Sequence, residues 1–448
     1  MKKICFICNF DKTPVFMAIA NILKEYGTEV FWISANDGYY KVLLKEYPAE
    51  NLLYISRLDS KNNNKPVGSF KINEIVYGDR ILKDQPDLGY RFLTNIQKPV
   101  YEFIKNNDIQ IVFGEVTHSY ELLICRMCNQ LKELNCMYIS TMVTRIPDKT
   151  LFFFTDEKNA KVLELSEPIE SKMGEDDFVV KAPSYLQGND AILAEETSLK
   201  GLWNSLVNFV TGRNVEENDP SVYKDRWTHL RIRLRTLWNQ YTYGFVKKQS
   251  VDVLKNKKFV LYGFHVQPEA SVDISGRYNE DQYQNVINIW RTLPDDWYLV
   301  IKEHSNGIGN RSFSFLNKLS KLRNVILLDE KASAVQLMKQ AQAVFTVTGT
   351  MALEAGLQGI PSITLAPMWF NFLNHCKHLT WEELEVLDLE KYCSEVRKRP
   401  VNKDEYMEYV AKHSFKGELD GIMYNDRVLE KENLKRLCDA FLHILERP

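Results

Sequence analysis

The residues Thr348-Gly349-Thr350, with Glu354 shortly after, have the make-up of an anion-holding turn. The preceding run Ala343-Val344-Phe345-Thr346-Val347 is β-branched and aromatic, which suits a strand covered on both faces. Gly349 lets the backbone bend sharply and approach a ligand closely. A helix starting there opens with unpaired amides at the positive end of its dipole, so a phosphate is welcome. Glu354, expected on the first turn, reaches a sugar hydroxyl of the same ligand. The plain alternative is a strand-to-helix turn that holds nothing.

Two more apolar runs end in polar residues: Phe264-His265-Val266-Gln267-Pro268-Glu269 and Lys302-Glu303-His304-Ser305-Asn306. In open α/β sheets the ligand sits beyond the carboxyl ends of the strands. Singly, His265 or His304 reads as a hydrogen-bonded structural histidine. Grouped at one sheet edge, His265, Gln267, Glu269, Lys302, His304, Thr348, Gly349 and Thr350 suit a nucleotide whose phosphate leaves during the reaction. The first half has its own strand end, Gly114-Glu115-Val116-Thr117-His118, with Asp11 near the end of the first strand. Glu115 is a candidate general base or sugar nucleophile, and His118 a second catalytic candidate. Glu115 alternatively caps a helix beginning at Ser119. No Asp-x-Asp follows an apolar strand in the way that clamps a divalent cation to a diphosphate. The expectation is metal-independent chemistry with no cofactor, the leaving group being met by a helix terminus and side chains.

These residues need a scaffold that brings strand ends together, and the hydrophobic pattern supplies one. Lys3–Phe10 and Glu29–Ser34 read as strands around a helix from Pro14 to Tyr26, followed by a buried strand over Gln110–Phe113. The alternation lapses between Ala182 and Ser250 and resumes at Lys258 as successive βαβ units, ending in an amphipathic helix over Leu429–Leu445. The expected organisation is an acceptor-side α/β domain over 1–185, a helical connection over 186–255, and a nucleotide-binding α/β domain over 256–448. The connection and its continuation are basic and Trp-bearing (Trp203, Trp227, Trp238 among Arg226, Arg231, Arg233 and Arg235). Region 224–258 is thus expected to touch an anionic membrane surface, to hold an anionic acceptor, or to be a solvated face of linker helices.

At 448 residues the chain is too long for one typical core. Hydrophobic and charged contents of 45% and 26% are those of an ordinary globular protein. A net charge of -2 speaks against a nucleic-acid-coating protein. No apolar run reaches the length of a membrane span, and the opening Met1-Lys2-Lys3 stretch meets Asn9 too soon for a signal peptide. The pairs Cys5/Cys8 and Cys125/Cys128 fall within a strand and a helix pattern. Core packing is therefore expected rather than zinc, in a reduced cytoplasmic protein without a structural disulfide.

With these residues in hand, the second half resembles the capsular polysaccharide biosynthesis family. That family includes transferases of 3-deoxy-manno-octulosonic acid (Kdo) and is related in fold to other GT-B glycosyltransferases. The matching stretches are Tyr262–Glu269, Ile301–His304, and Thr346–Pro361 with its Thr-Gly-Thr and Glu-Ala; Gly114-Glu115 and Arg145-Ile146-Pro147 are similar in the first half. The resemblance implies two Rossmann-like domains, a nucleotide-sugar donor (CMP-Kdo or a related CMP-sugar) held by the C-terminal one, and a glycan or glycolipid acceptor facing the other. In this picture Thr348, Gly349, Thr350 and His304 meet the donor phosphate and Glu354 the ribose, while His265, Gln267 and Glu269 meet the base or sugar. The chain is also similar to bacterial sialyltransferases, in which a His-Pro pair meets the nucleotide phosphate; here Ser305 follows His304. The rival readings are a nucleotide-sugar epimerase or hydrolase of the same fold, and a non-catalytic glycan-assembly protein.

Overall fold

Among the described residues thirteen strands form, and those at the centres of the sheets are short apolar segments of the kind parallel sheets bury on both faces. A computed structural model describes residues 2–165, 198–212, 217–223, 225–420 and 426–446. The chain forms two compact units, Met1–Thr228 with Met407–Pro448, and His229–Tyr406.

The first unit holds β1 (Lys3–Ile7), β2 (Glu29–Ser34), β3 (Leu52–Tyr54), β4 (Ile111–Gly114), β5 (Met137–Arg145), β6 (Asp148–Phe154) and, from the far end of the chain, β13 (Ser414–Lys416). Their order is β13-β6-β5-β4-β1-β2-β3. β1 to β5 pair in parallel, whereas β6 and β13 add antiparallel at one edge. β1 stops at Ile7, short of the expected Phe10, because Phe10–Lys12 form a 3₁₀ turn leading into helix Thr13–Glu25. Phe6, Phe16, Phe113, Phe153 and Phe441 pack together, with Phe113 and Phe441 ring centroids 4.8 Å apart.

Phe441 belongs to the terminal helix Lys431–Leu445, so the expected 256–448 domain needs correction. Its buried stripe, Leu437, Cys438, Phe441, Ile444 and Leu445, covers the first sheet. Burying an aromatic of this size contributes about 2–3 kcal/mol. β6 meanwhile offers an open antiparallel edge that β13 fills. An amphipathic pattern demands a partner surface without naming which.

The second unit holds β7 (Phe259–Gly263), β8 (Tyr298–Lys302), β9 (Val325–Leu327), β10 (Ala343–Thr346), β11 (Ser362–Thr364) and β12 (Cys376–His378), in the order β12-β11-β10-β7-β8-β9. Every pairing is parallel. β12 lies beyond the sequence-predicted series. The architecture is two Rossmann-like α/β domains, as the strand–helix alternation implies. Of the expected connection over 186–255, residues 186–197, 213–216 and 224 lie outside the described set. Helices Leu199–Thr211 and Arg226–Tyr243 lie within it. All eight cysteines are buried and none is in a disulfide.

Candidate functional site

In the second unit, β7 and β10 are neighbours, and their carboxyl ends are stitched together by His265. Its Nε2 lies 2.8 Å from Thr346 Oγ1 and accepts the Val347 N–H at 3.2 Å. Thr346 Oγ1 in turn accepts the Gly349 N–H at 3.1 Å, so its own hydrogen points to the imidazole. Nε2 is therefore an acceptor, and the ring proton sits on Nδ1. Burial first, then the nearby Arg311 and His304 charges, push the His265 pKa down to about 3. His265 is a neutral hydrogen-bond donor through Nδ1.

β8 is tied to the same edge by an ion pair absent from the sequence-level candidates. Buried Arg311 places Nη1 2.5 Å from Glu303 Oε1 and donates from Nη2 to the His265 carbonyl at 2.5 Å, with its guanidinium 4.1 Å above the Phe264 ring. Burial pushes the Glu303 carboxyl up, against the pull of Arg311. His304 Nδ1 accepts the Asn306 N–H at 3.1 Å, leaving the ring proton on Nε2. Two imidazoles thus have their tautomers fixed by neighbours, each with an N–H donor. That suits an oxyanion or phosphate better than a cationic or proton-abstracting role.

The Thr-Gly-Thr turn is as expected in place and different in detail. Gly349 caps helix Thr350–Leu357 with φ -69° and ψ 144°, a conformation open to any residue. It must be glycine for space: an added Cβ would lie 2.6 Å from Thr346 Oγ1 and 3.2 Å from His265 Cε1. Thr350 begins the helix, so its amide stands where the dipole favours an anion. Glu354 falls on the second turn, because the helix starts one residue after the glycine, and no acidic residue occupies the first.

Several candidates turn inward. Thr348 donates its hydroxyl to the Ser271 carbonyl at 2.9 Å. Gln267 donates to Asp273 Oδ1 and to the Glu280 carbonyl, both at 2.9 Å, and accepts from Gln282 at 2.6 Å. Gln267 is thus a brace of the loop that carries His265. Lys302 donates to the Glu303 and Glu330 carbonyls at 3.2 Å, and burial lowers its pKa. Glu269 is exposed, its N–H bonded to Asp273 Oδ2.

The first unit separates its two catalytic candidates. Glu115, just past β4, is bound at 2.5 Å by Lys12 Nζ, which also lies 2.6 Å from Asp420. Burial alone would depress the Lys12 pKa, but the two carboxylates outweigh it and raise it. The helix Ser119–Gln130 is capped by Glu121, which accepts from the Thr117 and His118 amides, so the capping alternative for Glu115 falls. Glu121 is wholly buried, accepts also from Asn9, and burial pushes its pKa up to about 7. His118 is only 1% exposed and lies between the rings of Phe10 and Tyr120, with neither ring nitrogen bonded among the described residues. Burial, and then Arg80, push its pKa down to about 4. A shielded, neutral His118 is a packing residue. The side chain of Asp11 lies outside the described residues.

Lys12, Asp420, Thr346 and Arg311 went unsignalled because each acquires its role from a partner distant in sequence. Only Thr346, in the polar end of an apolar strand, carried a local hint.

Residues 218–406 match the family model described as capsule polysaccharide biosynthesis protein, as the strand-end motifs lead one to expect. No curated protein matches the chain by sequence. Among solved structures, the chain is similar to the β-Kdo 2,7 transferase of KpsC from Thermosulfurimonas dismutans. Identity is 10% and the TM-score 0.35, covering 78% of this chain and 90% of that one. The β-Kdo 2,4 transferase of the same KpsC gives 13% and 0.35 over 69% and 82%. UDP-GlcNAc 2-epimerase from Methanocaldococcus jannaschii gives 12% and 0.25 over 90% and 94%. Likeness at this level carries no functional weight.

Proposed function

We propose, from the membership of residues 218–406 in the capsule polysaccharide biosynthesis family, that this protein is a GT-B-type glycosyltransferase of capsule assembly. It moves a sugar from a nucleotide-sugar donor to a glycan or glycolipid acceptor. The observation that carries the donor half is the set of neutral imidazole donors and helix-start amides gathered at adjacent strand ends of the second unit. His265 Nδ1–H, His304 Nε2–H and the Thr350 amide are of the right kind to hold a phosphate that gains charge as the glycosidic bond breaks. Charge is met by fixed dipoles, so the reaction is proposed to run without a metal ion. In the first unit Glu115, held by Lys12, is the proposed base or nucleophile.

CMP-Kdo, or a related CMP-sugar, is the donor we favour, from the family resemblance. The test is a thermal-shift panel of CMP, UDP, GDP and CDP, followed by turnover with the sugar donor of the nucleotide that binds. A cognate nucleotide at a hundred times Kd adds about 2.7 kcal/mol and raises Tm by roughly 5–10 °C. Binding of UDP or GDP alone removes the CMP-sugar reading, and silence across the panel removes the donor site. An isomer or free sugar formed from donor without acceptor would make the protein an epimerase or hydrolase.

A further inference from the structure

The first turn of helix Arg226–Tyr243 packs Trp227 edge-on against Phe209, and beyond it the helix has one face fastened to the second unit and another that lies exposed. On the fastened side Asn239 donates to the Gly309 carbonyl at 3.0 Å, and Tyr243 and Lys248 both bond Glu330. On the open side Leu234, Trp238, Tyr241 and Phe245 are exposed, the three aromatics by 65–66%. Their spacing of three and four residues, with the Tyr241 ring centroid 6.1 Å from Trp238 and 5.4 Å from Phe245, makes them one stripe, with Arg231 inside it and Arg235 at its margin. Scattered apolar side chains on a surface need no explanation, but a contiguous aromatic stripe does.

We propose that this face docks the protein on an anionic lipid bilayer. Residues 226–248 contain no Asp or Glu, and Arg231, Arg235 and, just past the helix, Lys247 are exposed among them. Trp and Tyr favour the headgroup level, and arginine lies along the apolar boundary with its charge among lipid phosphates. Such cations add about 1 kcal/mol each near an anionic leaflet. Lying on the membrane is the geometry left, because no described helix is long and apolar enough to cross one. A second copy of the chain is the poorer partner, since symmetric contact would set Arg231 against its own like charge with no carboxylate on the face to meet it. The broader basic region narrows accordingly. Lys255 and Lys258 are paired to Asp252, Asp296 and Glu390, and Lys257 lies over the Tyr298 ring. The docking face is independent of the glycosyltransferase reading.

The test is flotation of the full chain with phosphatidylglycerol-containing vesicles and with pure phosphatidylcholine. Wild type floats with the anionic vesicles and not the neutral ones, and releases at about 1 M salt, where the Debye length is roughly 3 Å. Replacing Trp238, Tyr241 and Phe245 together by Ser weakens binding at least ten-fold, and Arg231→Glu with Arg235→Glu abolishes it. The latter pair touches only exposed positions, so an unfolded aromatic variant leaves the proposal testable. It is overturned if wild type ignores anionic vesicles or if the charge-reversed protein still floats. It is overturned equally if sedimentation velocity shows a dimer that the same variants dissolve.

Discussion

His265 Nε2 and Thr346 Oγ1, 2.8 Å apart, join the ends of two adjacent parallel strands and set the imidazole's tautomer. Because Thr346 also accepts the Gly349 amide, one hydroxyl aligns the histidine and the helix start together. Thr346→Val keeps the shape and removes both bonds. A lost buried hydrogen bond of this kind costs about 1–2 kcal/mol, so the Kd of the cognate nucleotide should rise roughly ten-fold by calorimetry. An unchanged Kd would take the proposed phosphate site away from this strand end.

Gly349→Ala tests the same junction from the backbone side. The added Cβ would meet Thr346 Oγ1 at 2.6 Å, and both groups are anchored in the strand-to-helix turn. Overpacking of this sort costs about 1–3 kcal/mol, and Tm should fall by several degrees together with the nucleotide-induced shift. A variant as stable as wild type would mean the turn relaxes freely.

Glu115→Gln should lower turnover by roughly 10²–10⁴-fold while donor affinity, measured separately, stays as in wild type. Lys12→Met leaves the carboxylate but removes its 2.5 Å partner, so it should slow turnover as well, with a changed pH profile. Near-wild-type turnover of Glu115→Gln rules it out as the catalytic carboxylate.

His118 supplies a pH prediction. Its folded pKa of about 4 lies below the ordinary value of 6.5, so below pH 6.5 the unfolded chain takes up a proton that the folded one refuses. That favours unfolding as pH falls through this window and has no effect above it. His118→Phe keeps the stacking between Phe10 and Tyr120 and removes the proton. Its stability relative to wild type should be greater at pH 4.5 than at pH 7.5 by roughly 2–3 kcal/mol, read by denaturant titration. A pH-independent difference would show that folding leaves the ring's pKa at its ordinary value.

Turnover should survive exhaustive chelation with EDTA, with recovery on added Mg²⁺ or Mn²⁺ no greater than in untreated enzyme. Loss and metal-dependent rescue would contradict charge stabilisation by helix dipole and imidazole donors alone.

The alternation of short apolar runs with amphipathic helices was enough to read two α/β halves, since both periods are local properties of the chain. The polar strand ends were legible for the same reason: Thr348-Gly349-Thr350, His265 and His304 each follow directly on a buried run, and parallel sheets align such ends. Tertiary structure alone decided which of these groups face outward and which brace the scaffold. Gln267 and Thr348 are taken up by Asp273, Gln282 and Ser271, while Lys12, five residues past the end of β1 at Ile7, becomes the clamp on Glu115 more than a hundred positions later. It also decided the home of residues 407–448. The stripe of Leu437, Phe441 and Ile444 required an apolar surface, and the exposed edge of β6 and the phenylalanine core of the first sheet provided it. Hydrogen bonds, ion pairs and hydrophobic contacts between distant segments depend on where the backbone carries each group, and that is a property of the whole fold.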